Sequence, residues 1–316
     1  MTRGRLRAVA VAAGIGGAAL FVWSLKTVGV AAVAEAMARL GAGFIVIVAL
    51  GGVRHLVRAS AWRLCFDDPR ALPLGWSVAA YVSGDAVGNV TPFGIFASEP
   101  SKIVLLRHRL AAGEAIPALA LENLFYGLTV VAMLAAGTGA LLLAFDVTTQ
   151  VRTAALLIVG GVAGALVAAT IAARWMPRLV VPLVAFVARH RERLWAIGAL
   201  EIAYHVSAVF EIWIAVALIT GTPPTLLVAF VLEYVNRTIT VVFQFVPMWL
   251  GVDEAGTGLM ASALGLTGAT GVALALARKA RIAVWTAVGL LLLSAFRLAP
   301  HAPAPPSWPP PSPARE

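Results

Sequence analysis

The stretch Asn89-Val-Thr-Pro-Phe-Gly-Ile-Phe-Ala-Ser-Glu99-Pro-Ser-Lys102 places a helix break, an acid and a lysine inside a segment that is otherwise apolar. An ionised side chain is costly in hydrocarbon and marks a pathway or a binding site. A second stretch, Val246-Pro-Met-Trp-Leu-Gly-Val-Asp253-Glu254-Ala-Gly256, repeats the construction, and 155 residues separate Pro92 from Pro247 and Glu99 from Glu254. Matching breaks at a fixed offset point to an internal repeat around one central site, the layout of a transporter.

The rest of the chain supplies the membrane. Of its 316 residues 60% are hydrophobic and 12% charged, too little polar surface to coat a soluble globule. Spans are expected at 8–25, 43–65, 72–90, 113–145, 151–173, 194–219, 225–245 and 268–296. The first should stay as an anchor, because no cleavage site of the A-x-A type follows it. Between the first two, 27–41 carries Glu35 and Arg39 at i,i+4 and reads as an interfacial helix.

Residues 93–106 and 248–265 are too short to cross and read as re-entrant segments, tolerated only inside protein or against a water-filled cavity. Basic residues set the orientation. The N-terminus, Asp67–Arg70, Arg107–Arg109 and Arg174–Arg193 are expected in the cytoplasm; Asp146–Gln150 and Gly221–Pro224, without Lys or Arg, are expected outside. The two hairpins then open to opposite faces. The expected fold is therefore all-α: about eight transmembrane helices and two oppositely oriented re-entrant hairpins in an inverted repeat. One transmembrane domain covers 1–299, with halves at roughly 43–145 and 194–296, and a Pro-rich tail, 300–316, is expected to be disordered. Both termini face the cytoplasm in this reading.

The net charge of +9 follows the positive-inside pattern, so nucleic acid is not an expected partner. One cysteine, Cys65, and five scattered histidines offer no metal cluster, and no metal or other cofactor is expected. Nor does the chain contain a P-loop or a G-x-S-x-G elbow, so no catalytic residue is assigned.

Candidate binding residues come from charge at depth. Tyr81, Asp85 and Asn89 form an i,i+4,i+8 stripe that the 155 offset carries onto Asn236, Thr240 and Gln244. Glu99 either binds or pairs with Lys102 at i,i+3. Asp253 and Glu254 point different ways on a helix, so one should meet solvent, and Glu254 is the counterpart of Glu99. Arg278, Lys279 and Arg281 lie near mid-depth in the last span, opposite Asn123, Leu124 and Tyr126 at the offset; Glu122 sits beside Asn123 in the first half. They either bind an anion or balance Asp253 and Glu254. Arg54, near the middle of the second span, fits a phosphate or a pair with Glu201 or Glu211, while Arg58 and Arg63 are near enough to its end to snorkel. Glu233 with Arg237, and His205, read as structural.

The N-x-T-P…E-P-x-K pattern of 89–102 and the V-P-x-x-L-G-V-x-E pattern of 246–254 resemble the signature segments of the lysylphosphatidylglycerol synthase transmembrane-region family, flippase-like membrane proteins. The resemblance covers about 8–298. It implies about eight spans with two re-entrant hairpins, in the fused synthases the region that moves aminoacylated phosphatidylglycerol between leaflets, and it carries over Pro92, Glu99, Lys102, Pro247, Gly251 and Glu254. It does not reach the soluble aminoacyl-transfer domain of the fused synthases, so lysine transfer is not expected. Where the family pattern has glycines after each proline, this chain has Phe93, Ile95, Phe96, Met248 and Trp249.

The expected function is thus a plasma-membrane lipid translocator for an anionic or aminoacylated headgroup. Arg54, Asn89, Pro92, Glu99, Lys102, Glu122, Pro247, Gly251, Glu254, Arg278 and Arg281 are its candidate site. The rivals are a transferase acting on a lipid-linked substrate and a non-transporting subunit of a lipid-modifying enzyme. Membrane lipids are the expected partners, and a homodimer or an enzyme partner stays open.

Overall fold

A computed structural model describes Gly16 and residues 18–298, apart from 92, 93, 174, 176 and 245. The Pro-rich tail and half of the expected first span, 8–15 and 17, lie outside the described residues. Within them the chain is helical throughout: α1 (Ala18–Val28), α2 (Val30–Leu40), α3 (Phe44–Leu64), α4 (Leu74–Asn89), α5 (Ile95–Leu106), α6 (Ala112–Ala144), α7 (Thr149–Ala173), α8 (Pro177–Arg189), α9 (Arg191–Thr220), α10 (Leu226–Val242), α11 (Val252–Ala263) and α12 (Gly268–Leu298).

Four stretches among these residues are long and apolar enough to cross a membrane: Val30–Leu64, Ala112–Ala144, Thr149–Ala169 and Arg191–Thr220. α12 matches them in length at 31 residues but carries Arg278, Lys279 and Arg281 in its first half. α4 and α10 are shorter than the expected spans 72–90 and 225–245, at 16 and 17 residues. The Arg174–Arg193 connection contains α8, with Pro177 at its first position, where a missing N–H is harmless. Leu183 and Phe186 of α8 pack into the core, a period that the sequence reading passed over.

Helix order and length run in parallel across the two halves. α4, α5 and α6 have 16, 12 and 33 residues; α10, α11 and α12 have 17, 12 and 31. The packing is crosswise. α3 lies on α9, α4 lies on α12, and α10 lies on α6. The last two of these contacts each use a glycine of the long helix. A Cβ on Gly289 of α12 would stand 2.4 Å from the Val82 carbonyl oxygen of α4, and one on Gly137 of α6 would stand 2.4 Å from the Tyr234 ring of α10.

Two apolar clusters cap the ends of the bundle. One gathers Trp62, Phe66, Leu72, Leu106, Leu110, Phe186 and Ile197, so α4 begins and α5 ends beside it. The other gathers Leu40, Ile47, Leu141, Ile219, Ala229 and Leu264, so α10 begins and α11 ends there. The polar residues fall between: α3 runs from buried Ile47 past Arg54 and Arg58 to buried Trp62.

The breaks between short helices are tight. A Cβ on Gly94 would lie 2.4 Å from the Gly88 carbonyl oxygen, so only a glycine lets the chain turn from α4 into α5 at this distance. Between α10 and α11, Met248 and Trp249 take φ of 49° and 52°, left-handed values that glycine adopts freely and bulky residues do not.

Candidate functional site

A cavity of about 770 Å³ opens between the two halves, touching α3, α4, α5, α6, α9, α10, α11 and α12. Both polar stripes face it: Tyr81, Asp85 and Asn89 from α4, and Asn236, Thr240 and Gln244 from α10. Seven cationic side chains line it, Arg54, Arg58, Lys102, Arg237, Arg278, Lys279 and Arg281, against three carboxylates, Asp85, Glu99 and Asp253. Five further acids, Glu122, Glu201, Glu211, Glu233 and Glu254, are buried without lining it.

Those acids hold the cations from behind. Arg54 Nη1 donates to Glu211 Oε2 at 3.1 Å, and Arg281 Nε lies 2.8 Å from Glu211 Oε1, so one carboxylate serves two guanidiniums. Arg58 Nε donates to Glu122 Oε1 at 2.7 Å, and the Tyr81 hydroxyl donates to the same oxygen at 3.1 Å. Arg237 Nη2 donates to Glu233 Oε1 at 2.7 Å and Nη1 to the Tyr126 hydroxyl at 2.8 Å.

Aromatic faces do the same without a charge. Arg54 sits 4.5 Å from the Tyr204 ring, Arg58 3.7 Å from Tyr126, and Lys102 Nζ 3.7 Å from Tyr81. The ring quadrupole attracts a cation and leaves its outward N–H groups available. Arg54 Nε, Arg278 Nε and Nη1, and Arg237 Nε have no hydrogen-bond partner among the described residues. Buried donors of this kind are costly unless a ligand meets them.

In the first half Lys102 Nζ lies 2.9 Å from Glu99 Oε1 and 3.0 Å from Asp85 Oδ1. Ser98 Oγ also donates to Asp85 Oδ1 at 3.1 Å, and His55 Nδ1 lies 3.6 Å from its other oxygen. Across the cavity Asp253 accepts from Arg278 at 2.5 Å, Thr257 at 3.0 Å and Lys279 at 3.1 Å.

Of the residues expected from the sequence, Arg54, Asn89, Glu99, Lys102, Arg278 and Arg281 line the cavity together. Pro92 lies outside the described residues. Pro247 opens a 3-10 turn, Pro247–Trp249, whose Met248 and Trp249 line the cavity. Glu122 stands behind Arg58.

Glu254 departs from expectation. Neither it nor Asp253 meets solvent, at 0% and 5% exposure. Glu254 Oε2 instead accepts from the Gly251 N–H at 2.7 Å, capping its own helix, which also explains Gly251 with its φ of 80°. Asp253, one residue earlier, is the acid that faces the cavity.

Arg58 was expected to snorkel and is instead held inside by Glu122, Asn123 and Tyr126. The i,i+4,i+8 spacing of Arg54, Arg58 and Trp62, which puts Arg58 on the same face as two buried residues, is the signal that could have found it. Tyr204 and Glu211, seven residues apart, share a face of α9, and the α3–α9 contact turns that face onto Arg54. Arg237 read as structural and also lines the cavity. The Glu211 alternative for Arg54 holds, as does the pairing of Lys102 with Glu99.

Among known proteins, the family model for the lysylphosphatidylglycerol synthase TM region matches residues 7–300. The chain belongs to this family. The match covers nearly the whole chain, both breaks included, and makes it a membrane protein connected with lipid. Neither a curated protein nor a solved structure gives a significant match.

Proposed function

We propose that this member of the family moves a lipid with an anionic headgroup between leaflets, the headgroup passing through the central cavity while its tails stay in the bilayer. The observation that carries this reading is the set of guanidiniums along the lining, held from behind by buried acids yet with N–H groups of Arg54, Arg237 and Arg278 left unbonded among the described residues, in a space framed by two interrupted helix pairs. A phosphate fits guanidinium edges in two-point contact, and water-filled depth is where broken helices are tolerated. In this reading α4–α5 and α10–α11 are re-entrant hairpins of an inverted repeat within an eight-span fold. The protein sits in the plasma membrane with both termini in the cytoplasm. Any enzyme partner or second copy would dock outside the cavity.

Asp85, Glu99 and Asp253 hold Lys102, Arg278 and Lys279 in place between ligands, and an arriving phosphate competes with them. Exchange of one anion for another leaves no cation stranded, which would cost several kcal/mol.

The test is a vesicle assay. Purified protein is reconstituted, and the exposure of labelled phosphatidylglycerol, phosphatidylcholine and lysyl-phosphatidylglycerol in each leaflet is followed by chemical quenching. Phosphatidylglycerol should move fastest, and Arg54→Gln with Lys102→Gln should slow it on the order of tenfold or more. Equal rates for all three headgroups, or an unchanged rate in the double variant, would remove the reading. Faster lysyl-phosphatidylglycerol would transfer the role to the three lining carboxylates.

A further inference from the structure

Glu254 is buried, does not face the main cavity and serves the proposed transport in no way described so far. It faces a second cavity of about 540 Å³. That cavity follows one face of α11, where Glu254, Gly258 and Ser262 stand at i,i+4,i+8, and it is closed on the other side by Trp23, Ser24 and Thr27 of α1. Eight residues of helix make it about 12 Å from Ser262 to Glu254. Its far end is the α11–α12 loop, where Thr267 and Gly268 line it. The volume holds several water molecules at about 30 Å³ each; the hydroxyls of Ser24, Thr27 and Ser262 donate to carbonyls of their own helices and keep lone pairs that can accept from water.

Lys279 joins the two cavities. Its Nζ lies 3.1 Å from Glu254 Oε1 and 3.1 Å from Asp253 Oδ2. Asp253 and Lys279 line the main cavity, while Glu254 lines the second. The ion triad is therefore the wall between them. Glu254 Oε1 makes no hydrogen bond among the described residues, its contact with Lys279 being out of line, and Oε2 is committed to the helix cap.

We propose that Glu254 Oε1 is a proton-binding site, reached by water from the α11–α12 loop through the second cavity, and that its occupancy sets how far Lys279 is held back from the anion in the main cavity. The second clause rests on the anionic-headgroup reading above; the first does not. A proton from the loop face adds to the carboxylate and makes a neutral acid. Lys279 loses one of its two carboxylates, and the wall of the main cavity becomes more positive by one charge. When the proton leaves by the same route, Glu254 recaptures Lys279.

The groups facing Glu254 are few. Lys279 comes from α12; Asp253 is its neighbour on α11, and Arg278 acts through Asp253. The parts of α1 and α2 against the cavity, Trp23, Ser24, Thr27, Val28 and Ala32, bring no charge, and α10, which also packs on α11, carries Glu233 and Arg237, which pair with each other.

The experiment uses the full-length protein in detergent and in vesicles. Infrared difference spectra on lowering the pH should show a protonated-carboxyl band that Glu254→Gln removes, since glutamine keeps the cap acceptor but cannot titrate. Ser262→Trp, at an exposed position on the cavity rim, should slow the deuterium shift of that band on transfer to heavy water. Binding of dioctanoyl phosphatidylglycerol, whose charge does not titrate in this range, should be on the order of tenfold tighter below the transition than above it, and flat in Glu254→Gln. Survival of the band in Glu254→Gln, an unchanged deuterium shift in Ser262→Trp, or the same binding profile in both proteins overturns the proposal. A normal Glu254 titration in a protein that binds no phosphatidylglycerol at any pH would instead sink the headgroup reading and the coupling to it, leaving the proton site.

Discussion

Asn123 and Arg278 stand 155 residues apart and occupy equivalent places: Asn123 Nδ2 donates to Glu99 Oε2 at 2.8 Å, and Arg278 Nη2 donates to Asp253 Oδ1 at 2.5 Å. Their neighbours agree, for Lys102 and Thr257 share the same offset and contact the same two acids. One half thus uses a neutral long-helix donor with a charged short-helix one, and the other half reverses the assignment. The acid equivalent to Glu99 in contacts is Asp253, although the one equivalent in sequence is Glu254.

This asymmetry makes the two acids unequal in stability. Asp253→Asn leaves Arg278 with no carboxylate contact and Lys279 with only Glu254, and should cost about 3–5 kcal/mol. Glu99→Gln should cost less than about 2 kcal/mol, because Lys102 keeps Asp85 at 3.0 Å. Thermal unfolding of the purified variants checks the order; a larger drop for Glu99→Gln would refute it.

Met248 should respond to the opposite substitution. A non-glycine residue in the left-handed region costs roughly 1–2 kcal/mol, and Met248 pays it at φ 49°. Met248→Gly is therefore expected to hold or raise the unfolding temperature despite the greater freedom of glycine in the unfolded chain. A clear fall would mean that the thioether packing outweighs the strain.

Orientation can be read with maleimides. Cys65 is buried at 3% exposure, so the background is low. Arg70→Cys and Arg109→Cys should label from the cytoplasmic side alone, and Thr222→Cys from the other side alone. Labelling of position 109 from outside would break the opposed-hairpin reading.

The loops at one end carry a latch outside the membrane spans. Asp67 accepts from Arg189 at 3.1 Å, and His190 Nε2 lies 2.9 Å away. Slight burial pushes its carboxyl up, but the His190 and Arg189 contacts outweigh this and hold it below the ordinary 3.8. A depressed acid contributes fully above its ordinary value and loses that contribution as pH falls through the lowered one. A spin label on α8 should thus gain mobility only in acid, and Asp67→Asn should give the same mobility at neutral pH.

Much of this was legible before any coordinates. The stripes 81/85/89 and 236/240/244 follow from helical period alone, and a polar stripe on an apolar helix must face something wet. The unequal roles of Asp253 and Glu254 were not legible. Adjacent acids differ by about 100° around a helix, and which one turns inward depends on where the helix starts, here at Gly251. Arg58 was misplaced for a related reason. Distance from a helix end predicts snorkelling only if the end is at the surface, and Trp62 and Phe66 bury that end of α3. The second cavity needed α1 to be laid along α11, a contact between elements far apart in the chain.

The brevity of α4 and α10 reaches beyond the protein itself. Their 16 and 17 residues extend only about 24–26 Å, whereas a bilayer's hydrocarbon averages about 30 Å. Read as halves of re-entrant hairpins, they turn back before the far interface, so each break brings a water-filled depth part-way into the bilayer beside the cavity. A headgroup starting there has less oil to cross before it reaches the first arginine.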